Sequence, residues 1–460
     1  MKRVADRGSA VDRKRGGMTP RSMEHITRTA VQINCAVLIC FSGLAMAQAG
    51  RLDATFGIGG TFVTHDTQSF DAVADAVALQ RDGKIVVAGE INSLAGVLRL
   101  NTNGALDTSF GSGGAVTINV PSGLGGGVQV IGVAIQPDSK IVAGISTINS
   151  DGSESFSLAR LVPNGSMDTA FGTAGIACTF PFGQQRSPTV LALQQDGKIL
   201  LAGDGIMARY DTNGQLDATF GSGGLAVLTA FPVTAIALQP NGQILIAAGG
   251  PARDTFPPSV LTLSVAGLIA RYNPNGSLDA TFGTSGQTAS LAAASAIAVQ
   301  GDGKIVVAGS IKSRLLPPPA GNDTGFGMVR YTPSGSIDTT FGNHGVVITD
   351  FGPSAPLAEP FALTLQSNGD IIAAGVAGQQ PGVVQSTPSS FALARYLSTG
   401  QLDTSFGSGG KVTTAFGANT ASISALVLQS DGKIVVAGNS GSAVQQSFVN
   451  NIAVARYLAQ

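Results

Sequence analysis

One unit recurs seven times along this chain, and the seventh copy is split, with one half toward each end. The clearest piece is Ala-Arg-Tyr, a short turn, then Leu-Asp-x-x-Phe-Gly; a full copy spans 270–283. After Ala455, Arg456 and Tyr457 no Leu-Asp-x-x-Phe-Gly follows, and that half stands instead at 52–57. A repeat shared in this way is expected to close into a ring, which hides the sheet edges that an open array exposes.

Two hairpins make up each unit. The first alternates apolar and small residues, turns, and continues as an aliphatic run: 76–80, the turn Arg81, Asp82, Gly83, then 84–89. Period-two patterning with β-branched residues marks strands. The turn returns as Pro137-Asp138, Gln195-Asp196-Gly197, Pro240-Asn241-Gly242, Asp302-Gly303, Asn368-Gly369 and Asp431-Gly432. Asp or Asn followed by Gly is the chemistry of a type I turn closed by a left-handed residue. Ser139 stands where the glycine belongs, so that turn is expected to be mildly strained.

The second hairpin turns at Pro274, Asn275 and Gly276, which sets Tyr272 opposite Leu278 and Arg271 opposite Asp279. The same spacing joins Arg99 to Asp107, Arg160 to Asp168, Arg209 to Asp217, Arg330 to Asp338 and Arg395 to Asp403. The seventh arginine, Arg456, has no downstream aspartate, and the aspartate left over is Asp53; the two are expected to pair across the termini. Four strands per unit, lettered A to D in chain order, suit a propeller blade. The expected fold is all-β: a seven-bladed β-propeller of four-stranded antiparallel blades, with one N-terminal strand completing the last blade. An open β-solenoid is the alternative, and it would need capping units.

These units resemble the delta-60 repeat family of bacterial envelope and extracellular proteins. The motifs that carry the resemblance are Ala-Arg-Tyr-x-x-x-Gly-x-Leu-Asp-x-x-Phe-Gly, as at 394–407, and Leu-Gln-x-Asp-Gly-Lys-Ile-Val-Val-Ala-Gly, as at 428–438. Nearly all of 51–460 is covered. The resemblance implies a β-propeller and no particular activity. Two units depart from the pattern, at Ser139 and at Asn241-Gly242-Gln243.

The first 47 residues differ in kind. Eight Lys or Arg residues precede an apolar run at about 36–47 that ends Ala45-Met46-Ala47. This reads as a secretory signal peptide cleaved after Ala47, with Met18 or Met23 as alternative starts and an uncleaved anchor as the alternative fate. The expected domains are thus the leader, 1–47, and one propeller, 48–460. A periplasmic, cell-surface or secreted location follows, and a monomer with no later membrane segment is expected. From Gln48 onward 19 basic residues face 25 acidic ones, which argues against a nucleic-acid partner. Cys178 is the one cysteine in that part, so no internal disulfide can form; it reads as a small packed residue.

Catalytic chemistry is sparse. Beyond the leader the histidines are His65 and His344, far apart in ring order, and the glutamates are Glu90, Glu154 and Glu359. No histidine metal site, cofactor site or triad is expected. The repeated aspartates read as turn and cross-strand partners, and the glycine run at 123–127 as a loop without the Lys-Ser or Lys-Thr of a phosphate cradle. What varies is the B-to-C and D-to-A connections, which leave a four-stranded meander on the same face. The long loops expected there are 250–268, 310–327, 376–391 and 439–452. Variable loops on a rigid scaffold are the usual place for binding. The candidate binding residues are Arg253, Asp254, Phe256, Lys312, Arg314, Leu315, Asn322 and Asp323. The expected function is a non-enzymatic binding or scaffold module for a protein or glycan. A hydrolase- or lyase-type enzyme at the channel mouth and a purely structural envelope component are the alternatives.

Overall fold

The computed structural model of the chain describes residues 48–64, 72–120, 128–148, 154–179, 188–203, 205–229, 232–253, 265–290, 292–312, 324–379, 388–417, 420–444 and 447–459. The expected leader, His65 and the glycine run at 123–127 lie outside them. Among the described residues 28 strands form seven antiparallel four-stranded meanders, and no helix occurs. Blade 1 shows the order: strand A is Ala72–Leu79, B is Ile85–Ile91, C is Leu94–Leu100 and D is Ala115–Ile118. Blades 5 and 6 share one continuous sheet, joined by a single parallel bridge between Thr324 and Leu357.

Strand A of each blade touches strand A of the next, and the circuit closes where Thr420–Leu428 of blade 7 meets Ala72–Leu79 of blade 1. The A strands therefore surround the axis, and the D strands lie outermost. Strand B is buried on both faces, which is why it reads as an unbroken aliphatic run: Ile85, Val86, Val87 and Ala88 are all essentially inaccessible. The core is not one central mass. It is seven apolar clusters, each shared by two neighbouring blades, and one of them joins Val435, Ala437 and Val454 of blade 7 to Val77, Val87 and Leu98 of blade 1. Burying a side chain of this size contributes about 1.5–3 kcal/mol, so each interface adds stability that an incomplete ring loses.

Thr61–Val63 near the N-terminus pairs with Ser447–Tyr457 as strand D of blade 7, in the register Thr61 to Ala455 and Val63 to Ala453. The C-to-D turn of that blade is rebuilt from two separate segments. Gly50 donates to the Leu458 carbonyl at 2.8 Å, and Leu458 donates to that of Arg51 at 2.9 Å.

The structure refines three expectations. Leu-Asp-x-x-Phe-Gly is a corner and not itself strand D. Only its leucine bridges strand C, as Leu278 does with Tyr272; the chain then turns through the Phe-Gly and returns as Gln287–Ser290 along the same strand C. The cause is local: Asp279 Oδ1 accepts the Thr281 N–H at 3.0 Å, and this Asx turn ends the pairing. The stretch 439–452, expected as a loop, is mostly strand, because Ile434–Val444 and Ser447–Tyr457 stay paired out to Val444 and Ser447. Cys178, expected as a packed residue, is exposed on outer strand D of blade 2. Ser139 adopts φ 69°, the left-handed conformation its turn requires.

Candidate functional site

The repeated charges are ring structure. In all seven blades arginine Nε donates to the paired aspartate at 2.7–2.9 Å, including Arg456 to Asp53. Each guanidinium also lies over the phenylalanine of its own Leu-Asp-x-x-Phe-Gly, 4.4–4.8 Å from the ring centre. Its Nη1 donates to a carbonyl in the C-to-D turn of the following blade: Arg99 to Pro163, Arg209 to Pro274, and Arg456 across the closure to Thr102. The glycine after the phenylalanine latches to the same turn, as Gly111 N–H does to the Asn164 carbonyl at 2.9 Å. One arginine thus pins the aspartate, the aromatic ring and the next blade together.

The lysine of Asp-Gly-Lys adds a second cation in blades 1, 2, 3, 5 and 7, as Lys433 does to Asp53 at 3.3 Å. In blade 4 Gln243 takes its place and donates to Asp279 at 2.7 Å. Burial alone would raise the Asp53 carboxyl, but hydrogen bonds from Thr55 and the charge of Arg456 outweigh it and hold it at about 2. The Thr219 hydroxyl holds Asp217 below the usual carboxylate range in the same way, with Lys198 and Arg209 adding to it.

The expected loop-face residues divide into two groups. Arg253 ends strand B of blade 4, Ile244–Arg253, and Lys312 ends strand B of the neighbouring blade 5, Ile305–Lys312. Their backbones pair with Val265 and Thr324, at the far ends of these hairpins. Asp254, Phe256, Arg314, Leu315, Asn322 and Asp323 lie outside the described residues.

Two features went unread in the sequence. The first is Asp75, the acidic residue in strand A of blade 1. It occupies the bulge between Ala74 and Ala76, and its Oδ2 is buried with no hydrogen-bond partner in the protein. Desolvation pushes its carboxyl up to about 7, and the charge of Glu90 adds to the shift. Other blades explain the position. The bulge residues Thr189 and Ser295 donate their hydroxyls to carbonyls of the next A strand, Val233 and Pro360. In blades 2 and 6 the bulge holds Ile131 and Phe361, so the position takes a donor or an apolar group, and a carboxyl supplies a donor only when protonated.

The second feature is a cavity of about 640 Å³ on the face of the short A-to-B turns, opposite the long hairpins. It spans blades 3, 4 and 5. Leu238 and Val299, at the ends of two A strands, line it together with Gln194, Gln239 and Gln300 of three successive blades. Every blade carries this glutamine: Gln80, Gln136, Gln194, Gln239, Gln300, Gln366 and Gln429. In blades 1, 2, 5 and 7 its Oε1 accepts from the blade's arginine at 3.3–3.5 Å. In blades 3 and 4 the Oε1 atoms of Gln194 and Gln239 are buried and find no donor in the protein, as in blade 6 for Gln366. A buried acceptor left unpaired costs about 1–3 kcal/mol. The recurring Leu-Gln was visible in the sequence, but nothing there showed which copies lose the arginine.

A family model described as a domain of unknown function (DUF5122) beta-propeller matches residues 80–110, 136–171, 194–220, 264–282, 300–341, 366–406 and 429–459, one segment in each blade. The chain is a β-propeller repeat protein. No curated protein sequence matches it. Among solved structures it is similar to an ulvan lyase of a new polysaccharide lyase family, at 11% identity and a TM-score of 0.48, with 90% of this chain and 94% of that one covered. It is also similar to the extracellular domain of a putative hybrid two-component system from B. thetaiotaomicron, at 14% identity and a TM-score of 0.39; there 86% of this chain matches but only 41% of that one. A putative oxidoreductase (glucose dehydrogenase) from Thermus thermophilus is similar at 12% identity and a TM-score of 0.39, with 87% and 100% covered.

Proposed function

We propose that this chain is a non-enzymatic binding propeller, exported to the envelope or exterior, that engages a protein or glycan through its long-hairpin face. The leader-like first 47 residues and the resemblance to the delta-60 repeats support the location. One observation carries the binding role: the repeated charged residues are taken up in joining blade to blade, so the variation between copies falls in the hairpin tips. Arg253 ends strand B of blade 4, and Lys312 ends strand B of blade 5. The segments that follow them in sequence carry Asp254, Arg314, Asn322 and Asp323, charges and amides that suit a polar partner.

The test exchanges residues 253–258 for a short Gly-Ser link and compares the two proteins on a glycan array and in pull-downs from an envelope extract. The exchange should leave the melting temperature unchanged and remove a specific bound species. Identical binding profiles would rule out this hairpin as the contact.

A further inference from the structure

We infer that the cavity between the short turns of blades 3, 4 and 5 is a binding site for a short neutral saccharide. It lies on the face opposite the hairpins and does not rest on the reading above.

Its volume of about 640 Å³ lies within the usual range for small-ligand sites. The cations in its wall are already matched. Lys198 bonds Asp217 at 2.9 Å, and Arg209 spends Nε on Asp217, Nη1 on the Pro274 carbonyl and Nη2 on the Thr219 hydroxyl. An anionic ligand would have to break these pairs. A neutral one rich in hydroxyl donors would not, and once the terminal amides of Gln194 and Gln239 turn toward it, it would give their now buried Oε1 atoms the hydrogen bonds the protein leaves unmade. Leu238, Val299 and the ring of Pro240 supply apolar surface for the C–H face of a sugar.

Pseudo-symmetry shows why the site forms here. The first residue of the A-to-B turn is Arg81, Pro137, Gln195, Pro240, Gly301, Ser367 and Ser430 in blades 1 to 7. Gly301 alone has no side chain, and a Cβ built on it meets nothing within 4 Å. Blade 4 further replaces the charged Asp and Lys of its turn with Asn241 and Gln243, which bond each other at 2.8 Å. The opening and the loss of charge coincide at these adjacent blades.

The test is calorimetric titration of the intact protein with neutral gluco-, galacto-, manno- and xylo-oligosaccharides, with oligogalacturonates as the anionic arm and short neutral peptides as a third. Gly301→Phe fills the cavity without backbone strain. Ser430→Phe places the same ring at the equivalent turn of blade 7, and Gln239→Ala removes one acceptor with little change of shape. A neutral saccharide should bind the parent protein, at least tenfold more weakly to Gly301→Phe and Gln239→Ala, and unchanged to Ser430→Phe and to the hairpin exchange at 253–258. Melting temperatures that match the parent tie the loss to the cavity. If no neutral saccharide binds, if oligogalacturonate or peptide binds better, or if both cavity variants bind normally, the assignment is wrong.

Discussion

Arg456 and Asp53 stand 403 positions apart in sequence, yet Nε and Oδ2 are 2.9 Å apart, the same bond that Arg271 makes to Asp279 across one turn. Both partners are buried. Removing one side of such a pair leaves an uncompensated charge and costs about 3–5 kcal/mol. Asp53→Ala and Arg456→Ala should each lower stability by that order in denaturant titrations, and the double variant by much less than their sum. Additive losses would mean that the two residues do not act as a pair.

Asp75 gives a pH dependence of opposite sign to that of the paired aspartates. Its carboxyl is raised in the folded state to about 7, against about 4 for a free aspartate. The folded protein therefore holds a proton that the unfolded chain releases first, and stability falls as pH rises from about 4 through 7. Asp53 is held down at about 2, so its contribution is present above about pH 4 and is lost as pH falls toward 2. Asp75→Thr, which copies Thr189 and Thr234 at the same bulge, should flatten the neutral-pH slope and raise the melting temperature at pH 8. A melting temperature at pH 8 that falls would contradict this reading.

Ser139 sits at φ 69° where the other A-to-B turns place glycine, as at Gly83 with φ 82°. Ser139→Gly should stabilise the protein by about 0.5–1 kcal/mol, and Gly83→Ser should destabilise it by a similar amount. Thermal melting of the two variants checks the pair, and shifts of the same sign would refute it.

Gly438 faces the strand A bulge of blade 7, and a Cβ there would come within 2.0 Å of the Ser422 carbonyl oxygen. That oxygen is backbone and cannot move aside cheaply. Gly438→Val should cost about 1–3 kcal/mol by overpacking. An unshifted denaturant midpoint would show that the bulge relaxes freely.

The ring and its staple could be read in advance because both repeat. Six copies of one spacing set Arg271 against Asp279, and the missing seventh set Arg456 against Asp53. The position of strand D was misread because Leu278 begins as a strand partner and only the Asx turn at Asp279 ends the pairing. The cavity and Asp75 were not legible for a different reason. They depend on small differences between copies: an arginine beyond reach of Gln194, a glycine at 301, a carboxylate where four counterparts carry hydroxyls and two are apolar. Periodicity identifies what the copies share and is silent on what the fold makes of a single departure.

The N-terminal segment closes the ring, and a split protein reports on that closure. A chain beginning at residue 65 lacks Asp53, Phe56 and the strand Thr61–Val63, and it exposes the interfaces of blade 7 with blades 1 and 6. It should melt far below the parent and recover most of the difference when a peptide of residues 48–64 is added in trans. A truncated chain that melts with the parent, or one that the peptide does not rescue, would rule out closure by this segment.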